Sequence, residues 1–104
     1  MTAIKNMCCW MLLACASAQA QNAPVTAEQI KAGAELYATN CATCHGNRMK
    51  NPEWALDLAT IPKDDRMRFI QSVTLGKNSM PPWGDVLKPA DVEALWAYFS
   101  TAEK

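Results

Sequence analysis

The feature that most constrains this chain is the run Cys41-Ala42-Thr43-Cys44-His45 near its middle. Two cysteines separated by two residues and followed at once by a histidine form the C-x-x-C-H signature for attachment of a c-type haem. Thiols at this spacing lie about one helical turn apart, so each can add to a vinyl group on one edge of a porphyrin. The histidine is then held beneath the iron as an axial ligand. The motif therefore predicts a fold built around a covalently attached haem.

Other chemistry that uses a C-x-x-C pair fits this chain less well. A zinc site needs three or four protein ligands, but downstream of position 20 the chain has no cysteine besides Cys41 and Cys44 and no histidine besides His45. A thioredoxin-type redox pair is expected beside a β-α-β pattern, and the sequence lacks the strand signals for one. A structural disulfide stays open as an alternative, but it leaves His45 without a role.

The first twenty residues have the pattern of a secretory signal peptide. A basic residue, Lys5, precedes an apolar run from Met7 to Ala16, and Ala18-Gln19-Ala20 forms a small-x-small cleavage site. The apolar run is too short to span a membrane comfortably. We therefore expect a signal peptide at 1–20, a single domain at 21–104, and export, which in a bacterium means the periplasm.

One alternative to cleavage after Ala20 stays open. Residues 12–15, Leu-Leu-Ala-Cys, loosely resemble the lipobox of bacterial lipoproteins, in which the cysteine is lipidated and becomes the new N-terminus. Lipidation of Cys15 would anchor the exported domain to a membrane. Mass spectrometry of the mature N-terminus distinguishes Gln21 from a lipidated Cys15.

Export also changes the counts of thiols and charges. Cys8, Cys9 and Cys15 leave with the signal peptide, so the remaining thiols are the two of the motif. Loss of Lys5 leaves nine basic and ten acidic residues, a net charge of −1, which argues against nucleic acid as a partner. A domain of residues 21–104 is small for an unaided core, and a haem supplies the apolar surface that such a core lacks.

Helix-boundary residues and hydrophobic periodicity predict three main helices. The predicted boundaries are a capping box at Thr26 and Gln29 for a helix to about Thr39, Pro62 with Asp64 or Asp65 for a middle helix that ends at Gly76, and Pro89 for a last helix. Gly33 lies inside the first helix, where glycine costs about 1 kcal/mol relative to alanine. We expect a second helix to approach closely at Gly33.

A sixth ligand for iron is predicted from the methionines of the domain, Met49, Met67 and Met80. Met49 follows His45 too closely to reach the opposite face of the ring, and Met67 lies in a helical pattern, where a core-filling role is expected. Met80 lies 35 residues after His45, in a loop that two prolines stiffen. A His45 and Met80 pair raises the reduction potential relative to two histidines and leaves no open coordination position. That combination is typical of an electron carrier.

The domain resembles the class I c-type cytochromes over essentially its whole length. The matching positions are Gly33 and Tyr37, the motif at 41–45, Pro52, Met80-Pro81, and Leu95 with Tyr98. This resemblance implies the all-α cytochrome c fold, in which the first and last helices cross beside one haem. It also implies thioethers at Cys41 and Cys44 and axial ligation by His45 and Met80. Finally, it implies that the carbonyl of Pro52 accepts a hydrogen bond from the His45 ring.

A narrower likeness suggests a redox partner. The stretch Met80-Pro81-Pro82-Trp83-Gly84-Asp85, with Leu87-Lys88-Pro89, is similar to small cytochromes that accept electrons from quinoprotein alcohol dehydrogenases. We therefore expect a monomeric one-electron carrier with a periplasmic dehydrogenase as donor and an oxidase or another cytochrome as acceptor. The alternatives are a haem subunit of a membrane-tethered dehydrogenase and, if Met80 leaves iron open, a haem enzyme or sensor.

Overall fold

The computed structural model describes residues 24–50 and 55–102 as an assembly of helices. The elements are α1 (Ala27–Asn40), α2 (Ala42–His45), α3 (Arg66–Leu75) and α4 (Pro89–Thr101), with 3₁₀ turns at Asn47–Met49 and Leu58–Thr60. Within these residues the only extended pairing is one isolated bridge between Lys77 and Met80. The predicted all-α fold with three main helices is confirmed. The predicted signal peptide at 1–20, and Pro52, lie outside the described residues.

The start of α1 follows the predicted capping box. The backbone N–H of Gln29 donates to Thr26 Oγ1 at 3.1 Å, and the backbone N–H of Thr26 donates to Gln29 Oε1 at 3.0 Å. Two N–H groups that lack partners inside the helix are thereby satisfied. The helix ends at Asn40, and the N–H of Cys41 still donates to the carbonyl of Tyr37 at 2.8 Å. The haem-attachment motif therefore begins directly on the last turn of α1.

The boundaries of α3 and α4 also follow local chemistry. Asp65, and not Asp64, is the N-cap of α3, because its Oδ1 accepts a hydrogen bond from the N–H of Arg68 at 3.1 Å. The helix ends at Gly76, whose φ of 81° and ψ of 164° belong to a region that essentially only glycine adopts. Pro89 is the first residue of α4, where its missing N–H costs nothing.

The crossing of α1 and α4 is the tightest contact between long helices, and Gly33 makes it possible. A Cβ atom added at Gly33 would lie 1.9 Å from the carbonyl oxygen of Ala94 and 2.8 Å from Cβ of Tyr98. One turn further along α1, the ring of Tyr37 lies 5.4 Å from that of Tyr98. The close approach predicted at Gly33 is therefore present, and its partner is α4.

The core lies on the inner face of α4. Val92, Leu95 and Phe99 follow helical spacing and are buried, Phe99 to 2% exposure. Phe99 stacks on Phe69 of α3 with ring centroids 4.9 Å apart. At the edge of this contact the guanidinium of Arg66 pairs with the carboxylate of Glu93, which joins α3 to α4. The apolar stripe of α4 thus holds both α1 and α3.

The longest described helix, α1, has 14 residues. No helix among the described residues has the length and apolar character needed to cross a membrane.

Substitution of Gly33 by alanine tests the helix crossing. We expect the holoprotein of Gly33→Ala to lose about 1–3 kcal/mol of unfolding free energy, because the added methyl group collides with backbone that cannot move aside cheaply. Urea denaturation measures this change, with Ala32→Ser on the exposed side of α1 as the control. Without the close contact, alanine would stabilise the helix by about 1 kcal/mol, so a more stable variant contradicts the crossing.

Candidate functional site

A cavity of about 370 Å³ opens between the helices and has the size expected of a ligand pocket. Its walls come from α1, the C-x-x-C-H motif, the 55–61 segment, α3, the 77–83 segment and α4. The lining includes Cys41, Cys44, His45 and Met80, the four residues that the sequence singled out. Residues that are up to 39 positions apart in the sequence therefore meet around one space.

The motif occupies a single helical turn at the base of α1. The N–H groups of Cys44 and His45 both donate to the carbonyl of Cys41, at 3.2 and 3.0 Å. Both cysteines are partly buried, and no disulfide joins them. Burial, and then the neighbouring Cys44, raise the pKa of the Cys41 thiol to about 11. Before haem is attached, this thiol is therefore protonated at neutral pH. The disulfide left open by the sequence is not formed.

The ring of His45 is oriented by a backbone carbonyl. Its Nδ1 lies 3.0 Å from the carbonyl oxygen of Leu56. A carbonyl oxygen only accepts hydrogen bonds, so Nδ1 carries the proton and Nε2 keeps the lone pair that binds a metal. The expected acceptor, Pro52, lies outside the described residues. Sequence reasoning missed Leu56 because every residue has a carbonyl, and only the path of the chain shows which one faces the ring.

A second hydrogen bond braces the motif from the side of α1. The hydroxyl of Tyr37 donates to the carbonyl of Gly46, directly after His45, at 2.6 Å. Tyr37 is buried, and this desolvation raises the pKa of its phenol from 10.0 to about 12. The sequence placed Tyr37 on the apolar face of α1, which is correct for its ring. Periodicity cannot reveal that the hydroxyl ties α1 to the end of the motif.

The segment that carries Met80 is held by backbone contacts at both ends. The N–H of Lys77 donates to the carbonyl of Met80 at 3.1 Å, and the N–H of Met80 donates back at 2.9 Å. A Cβ atom at Gly76 would lie 2.7 Å from the carbonyl oxygen of Met80, so glycine is needed for this close return of the chain. Beyond the two prolines, the N–H of Trp83 donates to the carbonyl of Val73 at 2.9 Å. These contacts fix the Met80 backbone against the end of α3.

The other two methionines differ in their surroundings. Met49 is 9% exposed, belongs to the core and also lines the cavity. Met67 is 56% exposed, so the expectation that it fills the core is wrong. The reason is that α3 directs only a narrow arc around Phe69 and Val73 inward, and Met67 falls outside that arc.

The donor set of this cavity fits a covalently attached haem. Two thiols, an imidazole with a free Nε2 and a thioether face one mostly apolar space. Within the described residues, no group of three or more Cys, His, Asp or Glu side chains is placed to hold a metal ion. The arrangement therefore suits an iron that a porphyrin holds.

Comparisons with known proteins agree with this chemistry. The family described as "Cytochrome C oxidase, cbb3-type, subunit III" matches residues 28–99. Cytochrome c6 of Microcystis aeruginosa is 36% identical over 78 residues, which cover 69% of this chain and 96% of that protein. The chain belongs to this family of c-type cytochromes. It is accordingly an electron-transfer protein and not an enzyme, and its cofactor is covalently bound haem c with iron.

Two further relatives are longer proteins. The cbb3-type cytochrome c oxidase subunit FixP of Azorhizobium caulinodans is 38% identical over 85 residues, which span 76% of this chain but only 29% of FixP. The quinohemoprotein alcohol dehydrogenase ADH IIB of Pseudomonas putida is 36% identical over 85 residues, 77% of this chain and 12% of that enzyme. This chain therefore corresponds to one part of each of these proteins.

A solved structure supports the same fold. The KustC0563 c-type cytochrome superposes with a TM-score of 0.60 at 29% sequence identity, over 69% of this chain and 98% of that chain. The likeness covers nearly all of the compared cytochrome. The predicted cytochrome c fold is confirmed.

Removal of the Tyr37 hydroxyl should change the unfolding free energy by an amount that depends on pH. We expect the holoprotein of Tyr37→Phe to be less stable at pH 7 by about 1 kcal/mol, the net value of one hydrogen bond. Because the pKa of Tyr37 is higher in the folded chain, the unfolded chain loses this proton first as the pH rises. The stabilisation present below pH 10 is therefore lost as the pH approaches 12.

Urea denaturation at a series of pH values measures both effects. The difference in unfolding free energy between the original protein and Tyr37→Phe should narrow above pH 10. Subtracting the two curves cancels groups that titrate equally in both proteins. A difference that stays constant up to pH 12 contradicts the assigned hydrogen bond and its burial.

Proposed function

We propose that this chain is a periplasmic one-electron carrier whose haem is bound by Cys41 and Cys44 and ligated by His45 and Met80. The observation that carries the proposal is the convergence of these four side chains on one apolar cavity. A haem bound there supplies an iron that cycles between the ferrous and ferric states. If His45 and Met80 both bind the iron, no coordination position would be left for substrate, which agrees with electron transfer.

The protein's own residues define the ligand field on the His45 side. The Leu56 carbonyl holds Nδ1–H, which fixes the tautomer and makes Nε2 the better donor. The Tyr37 hydroxyl fixes the backbone directly after His45. Together these two contacts hold the imidazole in one orientation, so that little rearrangement accompanies a change of redox state.

On the other side, the backbone restraints on Met80 compensate for a weak bond. A thioether is a weak ligand that water can displace when the chain around it moves. The paired hydrogen bonds with Lys77 and the close packing at Gly76 restrict that movement. Aromatic rings of Tyr37, Tyr98 and Phe99 line the same cavity and give it apolar surface.

For the electron donor, we propose a periplasmic dehydrogenase of the quinoprotein alcohol dehydrogenase type. Two features support this choice: the Met80–Asp85 stretch and the similarity to one part of a quinohemoprotein alcohol dehydrogenase. The acceptor would be a terminal oxidase or another cytochrome. The proposed export rests on the signal-peptide pattern at 1–20.

A second candidate function is a haem subunit of a membrane-tethered dehydrogenase. It is favoured by the relatives in which the matching region is a small part of a longer protein, and by the lipobox-like residues 12–15. A mature N-terminus at lipidated Cys15 supports this second function, whereas Gln21 supports the diffusing carrier.

Replacement of each methionine in turn tests the distal ligand. Ferric haem ligated by methionine shows a weak far-red charge-transfer band, which we expect in the original protein and not in Met80→Ala. The midpoint potential should fall in the same variant, because water or another donor replaces the thioether. Absorption spectroscopy and redox titration measure the two changes.

Met67→Ala and Met49→Ala are the matched controls. Met67 is exposed, so its variant should keep the band and the stability. Met49 is buried, so its variant should keep the band but lose about 2–5 kcal/mol of unfolding free energy. Loss of the band in Met49→Ala alone would assign the distal position to Met49 and overturn the Met80 assignment.

Stopped-flow reduction tests the proposed donor. We expect a purified quinoprotein alcohol dehydrogenase, supplied with its alcohol, to reduce the ferric holoprotein in a saturable reaction whose rate falls with added salt. A dehydrogenase of unrelated cofactor class is the control. If neither reduces the cytochrome faster than free quinol does, the donor proposal is wrong while the electron-carrier assignment stands.

A further inference from the structure

The cavity wall carries charges of one sign. Among the described residues that line it, Arg68 and Lys77 are positively charged, and none is an aspartate or glutamate. Arg68 lies in α3, and Lys77 lies in the turn that follows it. The cysteines lie on a different wall, at the end of α1 and in α2. The cavity therefore has one wall that carries the two cysteines and a separate wall that carries the two cations.

Polar side chains accompany the two cations. Ser72 lies four residues after Arg68, one turn along the same face of α3, and also lines the cavity. By contrast, Tyr37, Leu95 and Phe99 contribute aromatic or aliphatic surface from α1 and α4. Arg68 and Lys77 are both exposed to solvent, so their charges are available to an anionic group of a molecule that fills the cavity.

Arg68 differs from Arg66, two residues earlier in α3, in whether its guanidinium has an ionic partner. The guanidinium of Arg66 already pairs with Glu93 of α4, and Arg66 does not line the cavity. The backbone N–H of Arg68 is used by Asp65 in the helix cap, but among the described residues its guanidinium makes no ion pair. Arg68 thus brings a side chain with a planar five-donor group to the cavity wall, and such a group suits a carboxylate.

Haem c has two propionate carboxylates on the porphyrin. Its vinyl positions would be used by the cysteine thioethers, which would leave the propionates available to other walls of the cavity. We propose that Arg68 and Lys77 pair with the two propionates and that the hydroxyl of Ser72 donates a further hydrogen bond. This inference rests on the proposed seating of haem between Cys41, Cys44, His45 and Met80.

The pairing has an electrical consequence for the iron. Reduction removes one positive charge from the haem, and a nearby cation favours the reduced form. Loss of the Arg68 or Lys77 charge should therefore lower the midpoint potential. Arg68 and Lys77 are positioning residues, because they act on the cofactor's side chains and not on the iron itself.

Resonance Raman spectroscopy and redox titration of the holoprotein test the pairing. In Arg68→Gln and Lys77→Gln we expect the propionate bending bands to shift and the midpoint potential to fall. Lys31→Gln removes one charge from the exposed side of α1, away from the cavity. This control should leave the Raman bands unchanged and lower the potential by less. Unchanged propionate bands in both cavity variants overturn the inference.

Arg68→Lys separates a bound cation from a cation that acts at a distance. It keeps the positive charge but loses the planar guanidinium that can donate two parallel hydrogen bonds. The midpoint potential should therefore stay near that of the original protein, while the propionate Raman bands shift. If Arg68→Gln fails to fold, Arg68→Lys and Lys77→Gln still decide the question, since unshifted bands in both refute the pairing. The far-red band reports Met80 separately: its absence from the original protein refutes the ligand assignment without altering the Raman result.

Discussion

The contact between Gly33 and the backbone of Ala94 is the constraint on which the rest of this structure depends. With no side chain at Gly33, α1 and α4 approach until backbone meets backbone. That distance sets the position of Tyr37 one turn later, whose ring meets Tyr98 and whose hydroxyl reaches the carbonyl of Gly46. A helix crossing that looks purely structural therefore determines where the haem-attachment turn lies, and through it where His45 points.

The two halves of the site are held by different kinds of force. On the His45 side, the motif is one continuous turn, and its geometry follows from helical hydrogen bonds and one long-range hydroxyl contact. On the Met80 side, the chain must return after 35 residues, and it is fixed by the glycine at 76 and by hydrogen bonds to the end of α3. Local sequence specifies the first half, whereas the second depends on the packing of α3 against α4, through Phe69 and Phe99.

This difference explains how much the sequence could predict. Predictions that depend on only a few neighbouring residues are confirmed: the capping box at Thr26, the helix end at Gly76 and the start of α4 at Pro89. The close approach at Gly33 was also inferred correctly, because a glycine inside a helix is costly without such a reason. The carbonyl of Leu56 and the hydroxyl bond of Tyr37 were missed, because backbone carbonyls carry no sequence signal. Met67 was misplaced because helical spacing alone does not show how wide the buried arc is.

Some polar groups around the cavity have hydrogen-bond partners within the protein, and others would be paired by the cofactor. The His45 Nδ1–H and the Tyr37 hydroxyl each have a backbone carbonyl as partner, and within the described residues no buried side-chain nitrogen or oxygen lacks a partner. The polypeptide thus fixes the orientation of its own ligands. The cations on the α3 wall are of the second kind under the pairing that we propose, in which the carboxylates of the cofactor supply their counter-charge. We therefore infer that backbone contacts position the proposed ligands His45 and Met80, whereas the electrostatic surroundings of a bound haem would depend on side chains of α3 and the turn after it.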